Sequence, residues 1–202
     1  MVDIFLATTN QHKVGEIKAF FADTPDIRFT SWLDFPNQSP LDIEENAPDF
    51  AGNALLKATH TAAHLQKITL ADDSGLEIKA LGGFPSVHSA RWAGDVSQEV
   101  KNNLLLEKLR HQSNRSARYV AVLALVDPIK NEQHLFHGIC NGQIAISLSG
   151  SGGFGYDPLF IPDEADGQTF GELSLEVKNT ISHRALALKE LKSFLRKTAL
   201  SS

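Results

Sequence analysis

LADDSGLEIKALGGFPSVHSARWAG, residues 70–94, places two short apolar runs on either side of a pair of adjacent carboxylates. Ile68 to Ala71 reads as a buried strand, so Asp72 and Asp73 stand at its end, where the chain changes direction and side chains can face a cleft. Asp, Asp, Ser and Gly at 72–75 are all turn-forming residues. Beyond them Leu76, Ile78 and Ala80 alternate with Glu77 and Lys79, the period of a half-buried strand, and Gly82, Gly83 and Pro85 then make a tight turn. Two readings of the carboxylates stay open. Either one braces the turn while the other holds a magnesium ion or orients a water, or both belong to a plain turn. Ser89, Ala90 and Arg91 follow, bringing a guanidinium into the same small subdomain.

Working outward, 202 residues with 42% hydrophobic and 21% charged side chains fit one globular domain, or two small lobes around one cleft. A net charge of −5 argues against a dedicated nucleic-acid binder, which needs a basic stripe to release counterions. The single cysteine, Cys140, excludes an internal disulfide and the multi-cysteine zinc patterns, and reads as a small buried strand residue in a reducing compartment. The start, MVDIFLATTN, has no basic region, long apolar run or cleavage site, and no segment approaches the length of a membrane span. A soluble, cytoplasmic protein is expected.

Val2 to Ala7 is a short strand ending in Thr8, Thr9 and Asn10. It gives way to a helix in which Val14, Ile17, Phe20 and Phe21 have helical spacing. Strand, polar loop and helix start together favour an anion, and Lys13 in the first turn opposes the helix dipole. A bound phosphate explains that lysine better than helix stability does. Residues 24–48, with four prolines and the pair Glu44 and Glu45, read as strand fragments and loop. A helix is expected from about Asp49 to Gln66, with Phe50, Ala54, Leu55, Ala58 and Ala62 on its apolar face and Asn53 and Lys57 on a neighbouring stripe. Lys57 can reach a phosphate or remain a solvated helix lysine. His60 and His64 lack the intervening glutamate of a metalloprotease helix and read as surface residues.

Val96 to His111 reads as a helix with Val100, Leu104, Leu105 and Leu109 inward. Tyr119–Val126, 133–140 and 142–148 read as three consecutive strands, which gives an α/β fold with a mixed central sheet flanked by helices. The G-x-G-x-x-G pattern at Gly150, Gly152 and Gly155 is no dinucleotide fingerprint, because Pro158 and Pro162 keep the segment extended where a helix would have to open. Such a loop, displaying Phe154, Tyr156 and Asp157, suits close approach of backbone to a flat ligand, or a structural loop with core aromatics. Ser182 is a good N-cap for a terminal helix with Leu188, Leu191 and Leu195 inward. His183 and Arg184 in its first turn are donors that favour an acceptor-rich ligand. Separated cations, a carboxylate group, a glycine-aromatic loop and a pair of donors make a nucleotide site. The signatures of P-loop enzymes, zinc nucleobase deaminases and nucleophile-elbow hydrolases are missing.

Six ordered segments resemble the Ham1-like family of inosine triphosphatases, which are purine nucleoside triphosphate pyrophosphatases. They are ATTNQHK at 7–13, FAGNALLKA at 50–58, ADDSGL at 71–76, SARWAG at 89–94, GGFGYDPLF at 152–160 and KNTISHR at 178–184. The resemblance covers nearly the whole chain. It implies magnesium-assisted hydrolysis of ITP, dITP and XTP to the monophosphate and pyrophosphate. It also implies an elongated mixed α/β fold, two lobes around one cleft across residues 1–202, and a homodimer. On these positions it makes Thr8, Thr9, Asn10, Gln11, His12 and Lys13 the phosphate-side loop, with Lys57 a further phosphate contact. Asp73 becomes the catalytic carboxylate and shares magnesium with Glu45, and Ser74 contacts substrate. Phe154, Gly155, Tyr156 and Asp157 hold the base, while Lys178, His183 and Arg184 read its edge.

The chain departs from that pattern at Gly52, where the family commonly has glutamate, at Thr9, and at His88 and Trp92, where tyrosines are frequent. A related pyrophosphatase of the Maf-like kind acting on modified pyrimidine nucleotides, and a nucleotide-binding regulator without turnover, are the alternatives.

Overall fold

The computed structural model describes residues 1–199. Its strands are β1 (Val2–Leu6), β2 (Ile27–Ser31), β3 (Thr69–Ile78), β4 (Ser116–Asp127), β5 (Glu132–Ile144) and β6 (Phe160–Pro162). Its helices are α1 (Gln11–Phe20), α2 (Phe50–Leu65), α3 (Gln98–Lys108), α4 (Leu175–Ile181) and α5 (His183–Ala199). The strands form one sheet in the order β2-β1-β3-β4-β5-β6. β1 is parallel to both β2 and β3, whereas β5 and β6 are antiparallel, so the sheet is mixed as expected.

The chain divides into two compact units. The first comprises Met1–Asp73, Ala121–Gly138 and Leu186–Ser202, and the second Ser74–Val120 and Ile139–Ala185. The first is built on Ile4, Leu6, Val14, Ile17, Leu70, Leu123, Leu188 and Leu191, which the sequence pattern had placed inward. The second has its own core of Leu76, Ile78, Leu105, Leu109, Tyr119, Phe160 and Phe170. α2 follows its sequence closely. The Asp49 side chain accepts from Gly52 N at 2.8 Å, Phe50, Ala54, Ala58 and Ala62 are buried, and Gln66 closes the helix in a left-handed conformation with φ 53°.

Three expectations are corrected. Residues 72–75 make no turn, because β3 runs unbroken from Thr69 to Ile78. The turn-forming side chains there bond to distant partners rather than to their own backbone, so the local preference is overridden. The tight turn falls at Gly82 (φ 64°) and Gly83 (φ 91°) as expected, with Gly83 N donating to Ile78 O, but Ala80 lies within it and not in the strand.

The third of the expected consecutive strands, 142–148, is also absent as a separate element. β5 continues through Asn141 and Gly142 to Ile144, where it pairs with β6, while residues 145–159 are irregular or in turns. Gly142 is needed there, since a Cβ would collide with Ile161 O and press on the Phe160 ring. In α3 the inward face is rotated. Val100 and Leu104 are exposed, and Lys101, Asn102, Leu105 and Leu109 are buried. The short helix α4 precedes the terminal helix, with Ser182 between them; the Ser182 hydroxyl accepts from Ala185 N at 3.2 Å, the N-cap role expected of it.

Candidate active site

The first unit gathers charge around Asp72 and Asp73. Both carboxylates are buried, at 3% and 6% exposure. Lys13 ion-pairs with Asp72, and Lys57 donates to Asp72 O and to Asp73 Oδ1, each at 3.0 Å. Lys57 also stands 3.3 Å from Glu45. Asp73 Oδ2 is buried without a hydrogen-bond partner among the described residues. Burial pushes the Asp73 carboxyl above its ordinary value; Lys57 and Lys13 pull it back, and Glu45 pushes it further up.

Lys13, in the first turn of α1, thus bonds to a buried carboxylate 59 residues away. The loop before it is likewise organised by its own side chains. Thr8 Oγ1 accepts from Asn10 N at 3.1 Å, and Asn10 Oδ1 accepts from His12 N at 3.0 Å and Lys13 N at 3.2 Å. Those amides are already satisfied by the N-cap. Thr9, Asn10, Gln11 and His12 are exposed, and Thr8 and Lys13 half-buried.

The second unit gathers Ser74, Phe154, Lys178 and Arg184. Arg184 Nη2 donates to Ser74 Oγ at 2.9 Å, although the guanidinium belongs to a residue only 2% exposed. The half-buried Phe154 ring has Lys178 Nζ 4.7 Å and Arg184 Cζ 5.7 Å from its centroid. Asp157 Oδ2 accepts from Phe154 N and from Lys178 Nζ, both at 2.7 Å, so it braces the loop and holds the lysine. His183 lies parallel to the Tyr119 ring, 4.5 Å between centroids. Burial drives the Tyr119 phenol well above its ordinary value, so Tyr119 is neutral packing for that imidazole.

Gly155 takes φ 65°, a left-handed value that glycine adopts without strain, as a tight turn after Phe154 requires. Tyr156 belongs to the second core: its hydroxyl donates to Ser89 O and accepts from Trp92 Nε1, each at 2.6 Å. Within this loop Phe154 presents its ring beside Lys178, and Tyr156 anchors the loop behind it. Trp92 also packs edge-on against Phe84 at 5.0 Å. Arg91 is exposed, as are His60 and His64, and Cys140 is buried with its thiol pushed up to about 12 by burial.

Two contributors escaped the sequence reading. Asn102 Nδ2 donates to Gly155 O at 3.2 Å and Lys101 Nζ to Ala90 O, so α3 ties down both loops. The run of three leucines at 104–106 left the helix phase ambiguous, and that phase was the only signal for these residues. Asn53, noted only for its spacing from Lys57, is fully buried and accepts from Ala47 N at 3.0 Å.

Chemically, the first group offers two ammonium groups and hard carboxylate oxygens, and the second a ring face edged by fixed donors. Among the described residues no cluster of three or more metal-type side chains is preassembled, but the unpartnered Asp73 oxygen and nearby Glu45 fit a hard cation that draws its other ligands from water and phosphate. No helix among the described residues is long and apolar enough to cross a membrane.

Residues 4–194 match the model of the Ham1 family. The chain is 43% identical to a dITP/XTP pyrophosphatase of Desulfotalea psychrophila, over 94% of its own length and 83% of that protein. It is 42% identical to one of Oceanobacillus iheyensis, covering 96% and 98%. Among solved structures it superposes on the Staphylococcus aureus Ham1 protein with TM-score 0.86 at 38% identity, covering 97% of this chain and 99% of that one. A HAM1 protein from Coxiella burnetii gives TM-score 0.87 at 37% identity, covering 98% and 100%.

Proposed function

The chain belongs to the Ham1 family, and from that premise we propose that it hydrolyses ITP, dITP and XTP to the nucleoside monophosphate and pyrophosphate. The observation that carries this reading is Asp73: a buried carboxylate with one oxygen on Lys57 and the other without a hydrogen-bond partner among the described residues. Asp73 orients a water and takes its proton as the oxygen attacks the α-phosphorus. The bond from that phosphorus to the bridging oxygen breaks, and pyrophosphate leaves with the electron pair. Lys13 and Lys57 offset the charge of the phosphates and of the leaving group. When bound, magnesium supplies Lewis-acid stabilisation of that charge, and Asp73 and Glu45 are the residues that would hold it.

Recognition of the base falls to the second unit. Phe154 offers a ring face, while Lys178, His183 and Arg184 offer donors suited to the 6-keto oxygen of hypoxanthine and xanthine. A 6-amino group in that place leaves a donor unmet, at about 1–3 kcal/mol per group. The resemblance further supports a homodimer, checked by light scattering, and the lone buried cysteine suits a reducing, cytoplasmic setting.

The test is pyrophosphate release from ITP, XTP, dUTP, ATP and GTP, with magnesium and with a chelator. Magnesium-dependent release from ITP and XTP, with ATP rejected, is expected. Preference for dUTP would overturn the base assignment, and turnover undiminished by chelator would overturn the metal.

A further inference from the structure

Residues 42–48 carry Glu45 through a stretch with no helix or strand. Three residues of α2 hold that stretch. Asn53 Oδ1 accepts from Ala47 N at 3.0 Å, two residues beyond Glu45. At Gly52 a Cβ would fall 2.5 Å from Ala47 Cβ and 3.2 Å from Asp49 Oδ1, so only glycine lets Ala47 lie so close to the helix. Lys57, one turn past Asn53, meets the Glu45 carboxylate itself at 3.3 Å. Asn53 is 0% exposed, and its Nδ2 has no hydrogen-bond partner among the described residues. Burying an amide with its donor unmet costs its desolvation. The neighbouring inward positions, Ala54, Ala58 and Ala62, carry no such cost. The acceptor, not the packing, accounts for asparagine here.

We propose that Gly52 and Asn53 form a latch that fixes residues 45–47 against α2 and so aims the Glu45 carboxylate at the magnesium ion. The inference rests on the reading of Glu45 as a metal carboxylate. Asn53 is thus a positioning residue, acting through the Ala47 amide. Lys57 alone restrains only the end of a flexible side chain, whereas the latch sets the backbone from which it projects.

The test compares wild type with Glu45→Gln, Gly52→Ala, Asn53→Ala and the double variant Glu45→Gln/Asn53→Ala. It measures the magnesium concentration for half-maximal ITP hydrolysis, the KM for ITP at saturating magnesium, and, in nucleotide-free protein, hydrogen exchange at the Ala47 amide. Asn53→Ala and Gly52→Ala are each expected to raise the magnesium requirement about 10-fold or more while leaving KM for ITP within about twofold. Exchange at Ala47 should quicken in both. In the Glu45→Gln background, Asn53→Ala should add less than about a further twofold, because the carboxylate it aims is already gone. If Glu45→Gln raises the requirement but Asn53→Ala and Gly52→Ala do not, or if the effects multiply in the double variant, the latch is overturned. If Glu45→Gln itself changes nothing, the metal role of Glu45 fails first and the latch with it. Should Asn53→Ala fail to fold, Gly52→Ala keeps the comparison, since it preserves the Asn53 side chain and displaces only its partner.

Discussion

Lys57 donates to Asp73 Oδ1 at 3.0 Å and stands 3.3 Å from Glu45, so one ammonium serves two carboxylates. It also donates to the backbone carbonyl of Asp72. That arrangement leaves Asp73 with an opposite charge on one oxygen and, among the described residues, no hydrogen-bond partner on the other, in a position where burial disfavours its charged form. A carboxyl raised by burial but kept ionisable by a lysine has the character of a general base.

Replacing Asp73 with Asn should lower ITP turnover by about 10²–10⁴-fold, the usual worth of a positioned base, with far-ultraviolet circular dichroism unchanged. The fold should not suffer. Because burial raises its folded value above 3.8, the stability Asp73 contributes is fully present below that ordinary value and is lost as pH rises through the folded one. Asn has no such dependence. In chelator, the melting temperature of the variant minus that of wild type should therefore grow as pH rises from 3.8 through that window; a difference that shrinks would contradict the raised carboxyl.

Lys178 and Asp157 form a buried pair at 2.7 Å, each side chain 3% exposed. Removing one partner takes the opposite charge away from the other in a buried setting, so Lys178→Ala should cost about 3–5 kcal/mol in denaturant titrations. Asp157→Asn with Lys178→Met should cost less than the sum of the two single changes, because no buried charge then lacks its opposite. Additive losses would mean that the pair is not the main stabilising contact of the loop. Activity of these variants needs to be read well below their melting temperatures.

The same logic applies at Tyr156. Tyr156→Phe leaves the half-buried Trp92 Nε1 and the buried Ser89 O without this partner, and should cost about 1–3 kcal/mol. Tryptophan emission should shift as Trp92 loses its acceptor. An unchanged spectrum together with unchanged stability would remove Tyr156 as the link between the loops bearing Ser89 and Phe154.

How much of this was legible in the sequence depended on how far each signal lay from its cause. α2 was readable because Asp49 and the spacing of Phe50, Ala54, Ala58 and Ala62 are local. Asp72 to Gly75 misled because their turn preference is local too, whereas Lys13, Lys57 and Arg184, the partners that keep this stretch in a strand, lie 59, 16 and 110 residues away from their respective acceptors. The candidate site residues could be named by type and motif. Their division of labour could not: Asp72 holds Lys13 while Asp73 keeps an oxygen unpartnered, and Tyr156 anchors while Phe154 presents its ring. The rotated face of α3 shows the remaining limit, since a lysine and an asparagine buried to bond loop carbonyls mimic a solvated face.

Two glycines should respond to alanine with opposite signs, which tests the packing around β6 against an internal control. Gly15 is exposed within α1, and a Cβ there meets nothing within 4 Å. Gly15→Ala should stabilise by about 0.5–1 kcal/mol, through the lower backbone entropy lost on forming helix. Gly142 sits where β5 meets β6, opposite Pro162, and a Cβ there is driven into the Ile161 carbonyl and to 2.9 Å from the Phe160 ring. Backbone cannot yield as a flexible side chain can, so Gly142→Ala should destabilise by about 1–3 kcal/mol. Equilibrium unfolding of both variants beside wild type decides the matter. A stabilising Gly142→Ala would mean that β6 does not approach β5 as closely as the register of Gly142 with Pro162 requires.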